Sequence, residues 1–202
     1  GYNIFHYAID RDNLALFRLL LCFECDWQKI AKILNRQHVS IEARLEEWEK
    51  RHPGIKAKIE EAVKDFSEAR GLLATAKGQG VIEAVTLYIQ TAEIYIKHAD
   101  CELSQEYDGH PDLRKHYLQR AFRAYQELDE RYHLLTSLNP EQRQQHIEIS
   151  RKLSDLAREL GQTEDALSYA AYAGMLEFDA MRGIFYRAET GPDTEKLGLQ
   201  YG

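Results

Sequence analysis

Proline and glycine are scarce in this 202-residue chain, which has four of the first and twelve of the second. Both residues interrupt helices, and here they fall mostly where a helical pattern stops. With abundant Ala, Leu, Glu, Gln, Lys and Arg between them, the chain reads as all-helical. Cysteine is scarcer still, at three residues. Three cannot all pair within one chain, which fits a disulfide framework poorly. A reducing compartment is expected instead, the cytoplasm or a host cytosol in the case of a secreted effector. Excess positive charge is also missing. A net charge of -7 argues against a nucleic-acid binder, which would carry a basic stripe. No run approaches the ~20 apolar residues of a membrane span, and none follows a basic amino terminus as a secretory signal would. The chain lacks an initiator methionine, and further repeats or domains are expected upstream.

What is present is ordinary for a globular protein: 44% hydrophobic and 29% charged residues, enough for one large or two small domains. A short helix around Phe5–Ile9, a polar turn at Asp10–Asn13 and an apolar helix from Leu14 open the chain. Trp27 to Leu34 continues as a helix with Trp27, Ile30, Ile33 and Leu34 on one face. Ser40 is placed to cap a helix carrying Ile41, Leu45 and Trp48, which stops at His52-Pro53-Gly54. Longer helices follow at Ile55–Ala76, Val81 to about Glu106, Asp112 (as N-cap) to near Asn139-Pro140, Glu141–Leu160, and Glu164 to about Asp179. Beyond Met181 the periodicity fades into a docked segment and a mobile tail.

Two stretches resemble repeat families. Phe5, His6 and Ala8, then Asn13-Leu14 and Leu19-Leu20-Leu21, resemble one ankyrin repeat, with Asp12 at the turn glycine, where it must adopt a left-handed or strained backbone. One such unit cannot bury its own apolar face and needs stacked neighbours. Glu148–Phe178 resembles a tetratricopeptide (TPR) repeat. Leu153 stands at the packing leucine, with Ser154 and Ala157 as small neighbours, Gly161 at the turn, Ala166-Leu167 opening the second helix and Ala173 at the close contact. Ser150, Ala170 and Phe178 depart from that pattern. Ala84, Val85, Tyr88, Thr91 and Ala92 give a weaker echo of a second helix. These resemblances imply an α-solenoid-like stack of antiparallel helical hairpins. The expected parts are 1–36 (ankyrin-like hairpin plus following helix), 37–54 (connecting helix and turn), 55–180 (TPR-like) and 181–202 (a partly mobile C-terminal segment).

The TPR resemblance further implies that the first helix of the last repeat lines a concave groove. Arg151, Asp155 and Arg158 would point into it, with Lys152 alongside. Two arginines suit an acidic peptide or a terminal carboxylate, whereas Asp155 would repel one. The same charges also read as a solvated helix face.

Chemistry has few footholds. Cys22-Phe-Glu-Cys25 ends a helix, where the dipole disfavours a thiolate, and no second pair exists to complete a zinc site. His98, His110 and His116, with Glu102, Glu106, Asp108 and Asp112, make a histidine-bearing acidic corner whose spacing is no known ligand pattern. Glu46-Glu47 and Glu60-Glu61 read as surface ion pairs. No phosphate-binding loop or Gly-x-Ser-x-Gly elbow occurs. The expectation is therefore a non-enzymatic protein–protein interaction scaffold without cofactor or metal, gripping a partner peptide or helix between hairpins. The alternative is a helical accessory domain of a larger multidomain enzyme, such as a bacterial effector, with its catalytic residues elsewhere.

Overall fold

The computed structural model describes residues 3–23, 26–35, 37–107 and 109–189. Among them are nine α-helices, one 3-10 turn at Gln105–Tyr107, and no strand beyond an isolated Leu34–Ser40 bridge. The all-helical expectation holds. Among the described residues, no helix is long and apolar enough to cross a membrane. The chain divides into two compact units, 1–128 and 129–202, with the division inside one helix.

The first unit begins with α1 (Ile4–Asp10) and α2 (Leu14–Phe23). The turn between them uses Asp12 at φ 50, the left-handed conformation expected of it, and Asn13 Oδ1 caps α2 by accepting from the Leu16 amide at 2.7 Å. Next, α3 (Trp27–Ala31) is shorter than its apolar pattern suggested. Of the face Trp27–Ile30–Ile33–Leu34 only Ile30 is fully buried, and Leu34 lies half exposed in the bridge. Then α4 (Ile41–Arg51) starts under the Ser40 cap, with the Ala43 amide 3.2 Å from Ser40 Oγ, and buries Ile41, Leu45 and Trp48 as expected. The Pro53-Gly54 turn leads into α5 (Ile55–Lys77), and α4 and α5 pack on one another.

The spine of this unit is the hairpin of α5 with α6 (Val81–Cys101). Ala62, Ala69 and Ala76 on α5 and Ala84, Ala92 and Ala99 on α6 are all fully buried. Spaced seven or eight residues apart, they let the backbones approach while larger side chains fill the flanks. Phe66 is sandwiched there, stacked on Tyr95 at 6.1 Å and on Tyr117 at 5.9 Å. Phe17 on α2 meets Phe5 of α1 edge-on at 5.2 Å and Trp48 of α4 at a tilt at 5.8 Å.

The pattern did not place the end of α6. The helix stops at Cys101, not near Glu106, and tightens through i→i−3 bonds from the amides of Glu102, Leu103 and Ser104. The turn is closed by Gly109, where a Cβ would sit 2.6 Å from the Glu102 carbonyl, so no other residue fits without movement. The next helix, α7 (Pro111–His133), starts at a proline, with Asp112 in its first turn rather than as its cap.

The second unit comprises the last turn of α7, α8 (Pro140–Glu159) and α9 (Thr163–Glu189). The end of α7 falls six residues short of Asn139. Pro140 holds the residue before it extended, and Asn139 makes a capping box with Gln142. Between α8 and α9, Gly161 at φ 77 completes a Schellman turn, its amide on Arg158 O and that of Gln162 on Ala157 O. Leu153, Ala157, Ala166 and Ala173 are buried where the two helices cross, whereas Leu167 is 67% exposed. The last helix continues through Gly183 to Glu189, past the expected loss of periodicity, because one glycine costs a helix interior only about 1 kcal/mol. The expected mobile tail beyond it lies outside the described residues.

Candidate functional site

A groove of about 300 Å³ runs between α8 and α9 in the second unit. Its α8 wall carries Arg151, Ser154, Asp155 and Arg158; its α9 wall carries Ala170, Ala173, Gly174 and Glu177. The α8 residues follow one another at three- and four-residue spacing, which puts them on one face of the helix. On α9 the small side chains leave room. A Cβ built on Gly174 would meet nothing within 4 Å. Ser154 sits deeper and ties the walls together, its Oγ donating to the Ala166 carbonyl at 2.7 Å.

Three of the four residues singled out from the sequence, Arg151, Asp155 and Arg158, thus line one groove. Lys152 is exposed on α8 outside its lining. Both arginines already have carboxylate partners. Arg151 pairs across the groove with Glu177, and Arg158 pairs with Asp155 on its own helix at 3.1 Å. The groove therefore holds two positive and two negative groups. A strongly acidic peptide would meet Asp155 and Glu177 as well as the guanidinium groups. Arg151, Asp155 and Arg158 are largely exposed and Glu177 partly so, so each pair is worth only about 0–1 kcal/mol and is readily exchanged.

Beside the groove, α9 presents an apolar stripe. Leu167, Ala171, Gly174, Phe178 and Met181 recur at helical spacing, and Leu167, Phe178 and Met181 are 67%, 61% and 53% exposed. The sequence reading missed this stripe. Its signal was there, in apolar residues continuing on a second face of a helix whose first face was already used by Ala166, Ala173 and Leu176.

The three histidines of the acidic corner occupy three different settings in the first unit. His98 belongs to a buried charge network. Arg18, with no exposed side-chain surface, donates to Glu102 Oε1 at 3.0 Å and to His98 Nδ1 at 2.8 Å. Because a guanidinium only donates, Nδ1 accepts and the ring proton is on Nε2, facing Asp65 Oδ2 at 3.1 Å. Burial, then the Arg18 charge, push the His98 pKa down to about 4, so the ring is neutral at pH 7. Lys97 bridges Asp65 and Glu61, and its pKa is raised by those hydrogen bonds. By contrast His110 is exposed, 3.8 Å from Asp112, and gives its main-chain amide to Glu102 Oε2. The His116 ring stands edge-on to Phe23. The side chains of Glu106 and Asp108 lie outside the described residues, as does Cys25. Cys22 is buried on α2.

A second histidine cluster went unnoticed in the sequence. Asp129 and His133 stand one turn apart on α7, and His146 on α8 reaches them. A ligand atom from each lies within 4.8 Å of the others. Only the four-residue Asp–His spacing hinted at it, and His146 is thirteen residues further on.

Comparison with known protein families, curated proteins and solved structures finds no match to this chain.

Proposed function

We propose that this chain is a protein–protein interaction module whose α8–α9 groove and adjoining α9 stripe receive an amphipathic helix or peptide of a partner. In this reading the α5–α6 hairpin and the α8–α9 hairpin are each an irregular, TPR-like unit, and α1–α2 is an ankyrin-like hairpin. The observation that carries the reading is the conjunction of a small-residue groove with exposed apolar side chains on one helix. Contiguous exposed apolar surface marks interaction sites more often than chance exposure does.

The partner would lay its apolar face on Phe178 and Met181, set a side chain over Gly174, and exchange hydrogen bonds with the weak ion pairs at the groove rim. Aromatic and methionine side chains are well suited to such anchoring. Arg151 and Arg158 orient the partner, and the apolar stripe supplies most of the binding energy.

The test is affinity capture with the intact chain and three variants of unchanged helical circular dichroism. Arg151→Glu with Arg158→Glu should lose the specific partner, and so should Gly174→Trp, which fills the groove. Lys152→Ala should keep it. A partner held equally by all three variants refutes the assignment.

A further inference from the structure

We propose that Asp129, His133 and His146 form a binding site for a divalent transition-metal ion of the zinc class, clipping the end of α7 to α8. The proposal is independent of the groove, and it stands on the geometry of the three side chains. Both imidazoles turn a nitrogen toward the same carboxylate. His146 Nε2 is 2.8 Å from Asp129 Oδ1, and His133 Nδ1 is 4.0 Å from Asp129 Oδ2. Around a zinc ion, ligand atoms at about 2.0–2.2 Å from the metal lie roughly 3.3–3.5 Å from one another. The observed span, up to 4.8 Å, brackets that figure.

The cluster combines rigid and adjustable ligands. His146 is 1% exposed and held on three sides by rings, stacked on Tyr132 at 4.8 Å and meeting His133 and Tyr172 edge-on at 5.2 Å and 5.3 Å. Asp129 is also buried. His133, whose side chain is 49% exposed, packs its ring on Tyr172 at 5.1 Å and gives an ion its path from solvent. In the metal-free state His133 Nδ1 donates to the Asp129 carbonyl at 3.0 Å, a bond an ion would replace.

The donor set selects the ligand class. Two imidazoles and one carboxylate suit zinc and its first-row neighbours, and they disfavour magnesium and calcium, which take oxygen ligands. Three protein ligands leave a coordination position for water. His146 Nδ1 is buried without a partner, so the ring proton can move there from Nε2 without displacing another hydrogen bond. Freeing Nε2 costs only its bond to Asp129, which the shared ion replaces. An ion held this way closes the short connection between α7 and α8 and stabilises the folded second unit by mass action.

The test uses the full chain after chelator treatment, titrated with zinc chloride by calorimetry and with cobalt(II) chloride by visible absorption. One equivalent should bind. At a hundredfold excess over Kd it should raise the Tm of the second unit by roughly 10–20 °C. His133→Ala, a change at a half-exposed side chain, should weaken binding roughly a hundredfold while leaving the circular-dichroism spectrum intact, and Asp129→Asn should do the same. The proposal is overturned if the folded wild-type chain shows no saturable zinc binding, or if both variants bind zinc as the wild type does.

Discussion

Arg18 is the residue whose loss the first unit should tolerate least. Its side chain and that of Glu102 are both fully buried, so neither charge has water to fall back on. Replacing Arg18 by Met would leave the buried Glu102 carboxyl without its cation, held among the described residues by the His110 amide at 2.8 Å, and would strip His98 Nδ1 of its partner. It would also remove the cation lying 4.9 Å over the Tyr107 ring. Breaking a buried pair from one side costs about 3–5 kcal/mol, mostly as the penalty of the abandoned charge. In a chain of this length that is roughly a 6–20 °C fall in Tm. The assay is urea denaturation followed by tryptophan fluorescence. Both tryptophans, Trp27 and Trp48, lie in the first unit, so the signal reports that unit alone. Arg18→Met with Glu102→Gln removes both charges, retains an acceptor for the His110 amide, and should recover most of the loss. An Arg18→Met cost below about 1 kcal/mol, or a double variant no better than the single one, would refute the argument.

Three further outcomes follow from the same structure. The folded-state pKa of His98, near 4, lies below the value of about 6.5 for an unfolded histidine, so the unfolded chain binds the extra proton between those values. The first unit should hold its full stability above pH 6.5 and lose on the order of 3 kcal/mol as pH falls to 4; in His98→Gln that part of the slope should vanish in pH-dependent urea titrations. Gly161→Ala should cost about 1–2 kcal/mol because its φ is 77. Gly71→Ala, inside α5 with open space around its Cβ, should gain about 0.5–1 kcal/mol. Opposite signs in thermal melts are the check. Asn139→Ala removes the acceptor for the Gln142 amide and should destabilise the second unit by about 1 kcal/mol, read as earlier melting of amide protection in α8.

The fold was largely legible because local rules act within a few residues. Ser40 caps as its type dictates, and Asp12 takes the left-handed turn. Ile41, Leu45 and Trp48 bury themselves at helical spacing. Helix ends were less legible, since they depend on partners distant in sequence. Glu102, just past the end of α6, is held by Arg18, 84 residues away. The groove could be read in part, since the three- and four-residue spacing of Arg151, Asp155 and Arg158 fixes their face of α8. The partners that neutralise them could not: Glu177 meets Arg151 only once the hairpin closes. His146 was invisible for the same reason, reaching Asp129 across a helix connection.

In the proposed module a partner sits on α9 and the groove beside it. A photo-crosslinking amino acid placed at Phe178, in living cells, tests it most directly, with the exposed Lys64 of the first unit as the comparison position. Position 178 should give one discrete cross-linked species, absent from position 64 and lost when Gly174→Trp fills the groove. Cross-linking that is equal from both positions, or that survives Gly174→Trp unchanged, would contradict it.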